Sequence, residues 1–547
     1  MGRCGRRGEL TTNGEIQTGQ GAHGSRVGRK LAELFGMDLR SMALFRVGLG
    51  IMLLLDLLKR TLAFTAHYTG EGIVPKEQIE DYLHVLPIFR LYMISDEPAF
   101  QASLFVIQGL AALCLMVGYR TRLMSFISLY MLICLQRRNP FVCHTGGWWL
   151  LVLTLWSVVL PLGAAYSVDQ LRKARRPALR SQYLSFGTLG YALQLVCFYY
   201  MAGWFKHREP VWQSGEAVAA FTQIDSYVTW FGSLLGTSPG LGRFFTHYTL
   251  ALESYGWVLF FLPFFTPVFR MVGILLFASF HLGLHLAVYI GILELLSIVA
   301  LFALLPASFW DVVLPRIPVP RGVARLWQSW ARRCQSYARP PSSAPVPAWT
   351  RGARVAEQGL AAALMVAVLF FNNDSRRGSL NLGYLSPGVE TFVRSTGIAQ
   401  HWIIFTDLDE RPNGWFLVLG EREDGEVINM LTEEVFRSID KPERPGAFFE
   451  NHNMRRLWHL AALERFRGLR PLLGDYLCRD WNKNHEQRVD RVIVFTLEGS
   501  PPPGVRPPML PVVEHKTEAA RPGKAAWIAF YEEINARMTA GPGPPRG

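Results

Sequence analysis

Lys206 closes a run of apolar and aromatic residues, Cys197-Phe-Tyr-Tyr-Met-Ala-Gly-Trp-Phe-Lys206-His207. Partial burial of a lysine penalises its charged form, so its pKa falls and a neutral amine becomes available as a base. Such a base can accept the proton of a quinol or a similar weak acid. Tyr199, Tyr200 and Trp204 suit a flat ring ligand. The alternative is a lysine that snorkels from a helix end, with the aromatic residues in a membrane-interface belt.

Further ionisable residues lie inside apolar stretches, where charges are costly and usually face a bundle interior. Arg46 and Asp56 share one helix face, and we interpret both as structural polar groups. His281 and His285 could present two imidazoles to one metal, but no further ligand segment accompanies them. Hydrogen-bonded packing is therefore favoured and no metal is expected. Glu294 is either a proton relay or a buried, hydrogen-bonded acid.

The composition indicates a membrane protein. The 547 residues are 50% hydrophobic and only 18% charged, against roughly 25% charged residues in ordinary soluble proteins. The net charge of +13 is spread over short clusters between apolar runs, so the lipid bilayer and not nucleic acid is the expected partner. Seven cysteines without a C-x-x-C pair argue against a disulfide framework or structural zinc.

Apolar stretches of roughly 17–25 residues are long enough to cross a bilayer as helices. The hydropathy pattern predicts nine of them, with eight as the alternative, and hence an all-α polytopic membrane bundle. The predicted spans are 41–64, 99–118, 122–136, 146–165, 184–205, 251–268, 270–289, 290–310 and 355–372.

Basic residues near the span ends predict the orientation, because cytoplasmic loops are enriched in lysine and arginine. Arg26, Arg29 and Lys30 precede the first span and predict a cytoplasmic N-terminus in a multi-pass protein of the plasma (inner) membrane. With nine spans, most basic clusters lie on the cytoplasmic side of the membrane, and the C-terminal region lies on the extracytoplasmic side. Arg137-Arg138 is the exception, which electrostatics does not explain unless the pair serves a site.

The segments between the spans complete the predicted organisation. Paired apolar runs around Glu423-Asp424-Gly425 predict a β-hairpin, 454–466 has helical spacing and 491–497 is typical of a strand. This predicts a small α+β extracytoplasmic C-terminal domain. The predicted divisions are a cytoplasmic tail (1–40), a transmembrane domain (41–310), a basic Pro-rich cytoplasmic linker (311–354), a last transmembrane helix (355–372), the α+β domain (373–515) and a tail with a disordered end (516–547).

Five motifs occur in a fixed order along the chain. They are Phe45-Arg46 with Leu55-Asp56, Gly118-Tyr-Arg120, Tyr166-Ser-Val-Asp169, Tyr200-Met-Ala-Gly-Trp-Phe-Lys206 with Trp212 and Gly215, and Phe280-His281 with Gly291. Together they resemble the vitamin K-dependent gamma-carboxylase family and, more broadly, the HTTM (horizontally transferred transmembrane) domain proteins of bacteria. Further segments resemble the bacterial members: Gln400-His401-Trp402, Asn413-Gly414-Trp415, Asp424-Gly425 and Cys478-Arg-Asp-Trp-Asn482.

The resemblance implies a membrane enzyme that oxidises reduced vitamin K or menaquinol with O2. The strong base so formed removes a γ-proton from a glutamate of a protein or peptide before CO2 adds. By this resemblance Lys206 is the base that deprotonates the quinol, and His144 is the active-site histidine. We expect Tyr199, Tyr200, Trp204 and His281 in the quinone pocket.

The chain also departs from the animal enzymes. Where those have a stretch rich in histidine and arginine, this chain has Thr406-Asp-Leu-Asp-Glu-Arg411, and its C-terminal region is shorter. A non-enzymatic membrane protein of the same fold, which binds quinone or lipid or assists exported proteins, is therefore the alternative. A transporter ranks third, because Lys206 lies at a span end and not at the midplane.

Overall fold

The computed structural model describes most of the chain. The described residues are 26–82, 86–172, 182–224, 227–318, 348–376, 382–406, 414–436, 451–498 and 509–516, with residues 322, 325, 329, 446 and 449. The first part of the predicted N-terminal tail, most of the predicted linker and the tail after residue 516 lie outside them. The described chain is mostly helical, with one five-stranded sheet and one two-stranded pair.

Helices account for most of the described chain. The first nine α-helices are α1 (Arg26–Phe35), α2 (Leu39–Thr61), α3 (Phe64–Tyr68), α4 (Lys76–Tyr82), α5 (Pro98–Val117), α6 (Thr121–Arg138), α7 (Thr145–Val159), α8 (Val168–Arg172) and α9 (Phe186–Lys206). The others are α10 (Pro210–Gln213), α11 (Ala217–Phe221), α12 (Trp230–Gly236), α13 (Pro239–Tyr255), α14 (Thr266–Ala287), α15 (Leu293–Phe302), α16 (Ala348–Ser375), α17 (Pro387–Ser395), α18 (His452–Ala462) and α19 (Leu469–Asn484).

Four of the described helices are long and apolar enough to cross a membrane: 39–61, 98–117, 266–287 and 352–375. They coincide with the predicted spans 41–64, 99–118, 270–289 and 355–372. Two shorter apolar helices, Thr145–Val159 and Leu293–Phe302, lie in the predicted spans 146–165 and 290–310. A membrane protein is thus supported, whereas the count of eight or nine spans stays a prediction.

Several predicted boundaries differ from the structure. The predicted span 251–268 is not one helix, because α13 ends at Tyr255 and a 3-10 turn, Gly256–Phe260, follows before α14 begins. Helix α16 begins at Ala348, inside the predicted linker, and α1 with the start of α2 lies inside the predicted tail. Hydropathy identifies apolar stretches of sufficient length. It does not show at which residue a helix ends, because that depends on the backbone hydrogen-bond pattern.

The sheet lies near the C-terminus. Its strands are β3 (Gly414–Arg422), β4 (Val427–Asn429), β5 (Glu434–Val435), β6 (Val489–Glu498) and β7 (Met509–Lys516), in the antiparallel order β5-β4-β3-β6-β7. A separate two-stranded pair joins β1 (Met37–Asp38) to β2 (Gln182–Tyr183). The predicted hairpin is the β3–β4 pair. The predicted helix and strand are α18 and β6, and the side of the membrane on which they lie stays a prediction.

The sheet buries both faces of its central strands. Val418, Val492 and Val494 join the main core, while the alternate residues Leu419 and Ile493 belong to a second apolar cluster. This alternation follows from the two-residue side-chain period of a strand. Helix α19 covers the side of the main core, where Leu473 and Trp481 are buried.

Three of the sequence motifs meet in one cluster that fixes the helix connections. The buried guanidinium of Arg46 donates to the carbonyl oxygens of Met116 (3.2 Å), Leu162 (2.8 Å), Ala165 (3.1 Å) and Tyr166 (2.8 Å). The Asp169 carboxylate accepts from the backbone N–H groups of Arg120 and Thr121, at 2.8 and 2.7 Å. Charge-assisted bonds to otherwise unpaired carbonyls hold the helix ends in place. These three motifs therefore hold helix ends together, and a purely structural role for them stays a prediction.

Candidate active site

Lys206 forms a buried pair with an acidic residue of another helix. Its Nζ lies at the end of α9, 2.6 Å from Oε2 of Glu253 in the last turn of α13. Both side chains are almost fully enclosed, and the ammonium also lies 5.2 Å from the centre of the Trp212 ring. Burial of one charge alone would cost several kcal/mol, so each group stabilises the charged form of the other.

A glycine lets the two helices approach closely enough for this pair. A Cβ atom at Gly203 would lie 2.6 Å from Oγ and 2.9 Å from the backbone N of Ser254, the neighbour of Glu253. Such distances are shorter than van der Waals contact, so only glycine fits here. The glycine of the Gly203-Trp-Phe-Lys206 motif thus positions the lysine against its partner.

The pair lies on the wall of a cavity of about 90 Å³, which we call the lysine cavity. Apart from Lys206, Glu253 and the His281 ring, the described lining is apolar or carries only hydroxyl groups. Aromatic walls come from Phe198, Trp212, Phe221, Phe280 and Phe405. A flat, largely apolar molecule with one acidic hydroxyl matches this lining.

The predicted pocket residues take different positions. Tyr199 donates or accepts a 3.0 Å hydrogen bond with Nε2 of His281, and the His281 ring lines the lysine cavity. Tyr199, Tyr200 and Trp204 are not among the described residues lining that cavity, and Tyr199 reaches it only through its bond to His281. The guanidinium of Arg376 lies over the Trp204 ring, at 4.0 Å. The structure thus brings Lys206 and His281 together and places Tyr200 and Trp204 elsewhere on α9.

His144 lines a second, larger cavity of about 300 Å³, which we call the histidine cavity. Its described lining is rich in nitrogen bases and cations and contains no carboxylate: His144, His452, His459, Arg456 and Arg465, with Thr145 and Thr406. Leu293 and Phe405 line both this cavity and the lysine cavity, so the two are neighbours. The arrangement favours an anionic group beside the apolar lysine cavity.

The two central histidines act as neutral rings. Nδ1 of His144 accepts the backbone N–H of Gly146 at 3.1 Å, and Nδ1 of His452 contacts a guanidinium nitrogen of Arg455, which can only donate. The remaining proton of each ring is therefore on Nε2. Burial, followed by the nearby arginines, lowers the pKa of His144. Burial and the adjacent His144 ring lower the pKa of His452 in the same way. The arginines supply the positive charge of this cavity.

The remaining ionisable candidates are not among the described residues that line the lysine cavity. Asp56 pairs with Arg60 of the same helix at 2.7 Å, and Arg60 also donates to the Tyr68 hydroxyl at 2.8 Å. Nδ1 of His285 lies 3.9 Å from a Glu294 oxygen. His281 and His285 thus contact different groups, and among the described residues no cluster of three or more His, Cys, Asp and Glu side chains could hold a metal.

The sequence analysis did not identify some of the residues that line these cavities. Glu253 lies within the predicted span 251–268. An acidic residue inside an apolar segment is a functional candidate by default, so the sequence alone could have identified it. His452, Arg456 and Phe405 carry no such signal. They follow the last candidate span in the sequence, where polar residues are common, and only the tertiary structure brings them to the cavities.

Part of the chain is similar to a known protein family. The family model of the HTTM domain matches residues 36–310. No curated protein and no solved structure matches the chain. Lys206, Glu253 and His144 lie within the matched residues, whereas Phe405, His452 and Arg456 lie outside them.

Proposed function

The chain belongs to the HTTM domain family, and from this premise we propose that it is an integral membrane enzyme that oxidises a quinol. In this proposal reduced vitamin K or menaquinol is the co-substrate and O2 the oxidant. The reaction is coupled to carboxylation, by CO2, of a glutamate in a protein or peptide. The buried Lys206–Glu253 pair on an apolar, aromatic cavity is the observation that supports it.

The pair is suited to accept a proton without leaving an uncompensated charge in the cavity. Lys206 and Glu253 together are neutral, whether the proton between them lies on nitrogen or on oxygen. When a quinol hydroxyl gives its proton to the pair, the pair becomes a cation and the quinol an anion. The new negative charge then lies against a positive one in a low-dielectric site, where such stabilisation is large.

The size of the cavity sets a condition on quinol binding. The lysine cavity, about 90 Å³, is smaller than the roughly 300 Å³ at which ligand pockets begin. A bicyclic ring therefore has to displace lining side chains, of which Phe280 and Phe405 are among the largest. Since Phe405 is shared with the histidine cavity, its movement would open one cavity toward the other.

The proposed reaction balances through O2. The quinol and O2 yield the quinone epoxide and water, and the base formed on the way removes the γ-proton of glutamate. The resulting carbanion adds CO2 to form a new carboxylate. We assign the glutamyl group to the histidine cavity, because Arg456 and Arg465 can hold its carboxylate and the neutral His144 and His452 rings can hydrogen-bond to it. We place this site on the outer side of the plasma membrane.

The test is turnover by the purified full-length chain in detergent. The protein is incubated with reduced vitamin K or menaquinol, O2, labelled bicarbonate and a glutamyl peptide, and quinone epoxide and fixed label are measured. We expect both products, and we expect Lys206→Met to abolish both. Lys30→Met, which alters a lysine paired with Glu33 on α1, is the control. Epoxide without fixed label would remove carboxylation from the proposal. Quinol binding without either product would favour the non-enzymatic quinone-binding alternative.

A further inference from the structure

Arg137 is a buried arginine whose guanidinium lacks an acidic partner among the described residues. Its side chain is 8% exposed, and its Nε has no hydrogen-bond partner there. Its one described partner is the face of the Trp148 ring, 5.4 Å from the guanidinium carbon. A buried cation without a carboxylate is costly, and such groups are normally paired.

The neighbouring Arg138 shows what a structural arginine looks like at this place. Arg138 is fully buried, lies 3.3 Å from a carboxylate oxygen of Asp96 and donates to the carbonyl oxygens of Val74 and Thr69. Arg137, the other member of the pair that the positive-inside rule does not explain, has no equivalent bonds within the described chain. Contacts within the folded chain therefore compensate the buried charge of Arg138, but they do not compensate that of Arg137.

Arg137 lines a third cavity of about 550 Å³, which we call the arginine cavity. A second cation, Arg394, and the His401 ring also line it, and Nδ1 of His401 has no described hydrogen-bond partner. No carboxylate is among its described lining residues. The rest of the wall carries two uncharged polar side chains, Thr145 and Gln400, and is otherwise apolar or aromatic, with Trp148 and Trp402 as its largest side chains.

The cavity extends to an exposed arginine outside the candidate spans and adjoins the site described above. Arg394 lies on α17, outside the four candidate spans, and its side chain is 45% exposed. Thr145 lines both the arginine cavity and the histidine cavity. A ligand that enters from the aqueous phase can thus meet Arg137 before or beside the histidine cavity.

We propose that the arginine cavity binds a carboxylate attached to an apolar body, with Arg137 as the group that holds the carboxylate. The planar guanidinium matches a carboxylate in a two-bond fork, and the tryptophan walls match an apolar or aromatic remainder. The ligand is either a free organic acid or an acidic peptide, which present the same chemistry. This inference does not depend on quinol oxidation.

The test compares acids with their uncharged amides by calorimetric titration of the full chain, without quinol. The small-molecule arm uses 3-phenylpropionate and 3-phenylpropionamide, and the peptide arm uses acetyl-Glu-Phe-amide and acetyl-Gln-Phe-amide. We expect the wild-type protein to prefer at least one acid over its amide by about tenfold or more, as is typical when a charge-assisted bond is gained. The arm with the larger preference identifies the source of the carboxylate.

Arg137→Gln should remove this preference, whereas Arg90→Gln, at an exposed arginine paired with Glu80, should retain it. Lys206→Met should also retain it, so failure of the quinol chemistry is distinguishable from failure of this inference. If Arg137→Gln does not fold, Arg137→Lys is the test variant. It keeps the positive charge but cannot form two parallel bonds to a carboxylate, so the preference for the acid should fall several-fold. An unchanged preference in a folded Arg137 variant overturns the proposal. The proposal is also overturned if the wild-type protein binds neither acid. It is overturned as well if the protein binds phosphatidylglycerol vesicles, and not the acids, in a manner that depends on Arg137.

Discussion

The rings of His144 and His452 meet edge to face, with their centres 4.6 Å apart. His144 is the residue immediately before α7, within the part of the chain that matches the HTTM domain, and His452 is the first residue of α18, outside it. The histidine cavity is therefore built by two regions that are distant in sequence. Neither region alone provides the cluster of histidines and arginines.

The Lys206–Glu253 pair should show strong non-additivity in stability. Removing one partner of a buried pair leaves an uncompensated charge and typically costs about 3–5 kcal/mol. Lys206→Met and Glu253→Gln should each lower the unfolding temperature in detergent, and the double variant should lose less than the sum of the two. Additive losses would show that the two groups are not coupled.

Glu253→Gln should also separate binding from proton transfer. The amide retains the size and one hydrogen bond of the side chain, but it cannot accept a proton from a quinol. We expect quinol binding within a few-fold of wild type and a large loss of quinol oxidation. Glu357→Gln, at an acid paired with Arg122 on another helix, is the matched control. Full oxidation by the Glu253 variant would exclude the carboxylate from the proton-accepting pair.

Gly291 should tolerate no side chain. Its φ of +97° is unfavourable for other residues, and a Cβ would lie 3.2 Å from both Cε1 of His144 and Cδ2 of His452. Gly291→Ala should therefore lower stability by about 1–3 kcal/mol and reduce activity by displacing the histidines. Gly283→Ala, in α14, has open space around it and should be neutral or slightly stabilising. Equal behaviour of the two variants in thermal unfolding would contradict this.

Acid should destabilise the fold through its buried histidines. Burial and the adjacent arginines lower the pKa of His67 to about 3. The folded state then binds fewer protons than the unfolded state between about pH 6.5 and pH 3, so stability is complete above that window and falls by about 1.4 kcal/mol per pH unit within it. Neither ring nitrogen of His67 has a described hydrogen-bond partner. His67→Phe should thus flatten the dependence of unfolding temperature on pH, and an unchanged dependence would contradict this assignment.

Arg46 should be needed for folding and not for chemistry. Its guanidinium satisfies four backbone carbonyls at once, and each buried acceptor left unpaired costs about 1–3 kcal/mol. Arg46→Lys should lower the unfolding temperature markedly, because an ammonium group cannot reach all four oxygens. Any folded fraction should oxidise quinol at the normal rate per molecule. A stable but inactive variant would show that this cluster acts on the reaction.

The sequence by itself determined the features that depend on local composition and order. Apolar length located the four long membrane-compatible helices, alternation located the hairpin at Glu423-Asp424-Gly425, and the ordered motifs indicated the HTTM family. The boundaries around 251–268 were not determined, since a 3-10 turn and an α-helix of equal hydropathy give the same signal.

Only the tertiary structure decided which polar groups meet. Lys206 was identifiable from its own surroundings, but its partner Glu253 comes from another helix, and Gly203 matters only because two backbones approach there. Arg137 and Arg138 are identical in type and adjacent in sequence, yet one is bonded to Asp96 and the other lines a cavity. The free energy of a buried charge depends on the groups that surround it in space, and residues distant in the chain supply those groups.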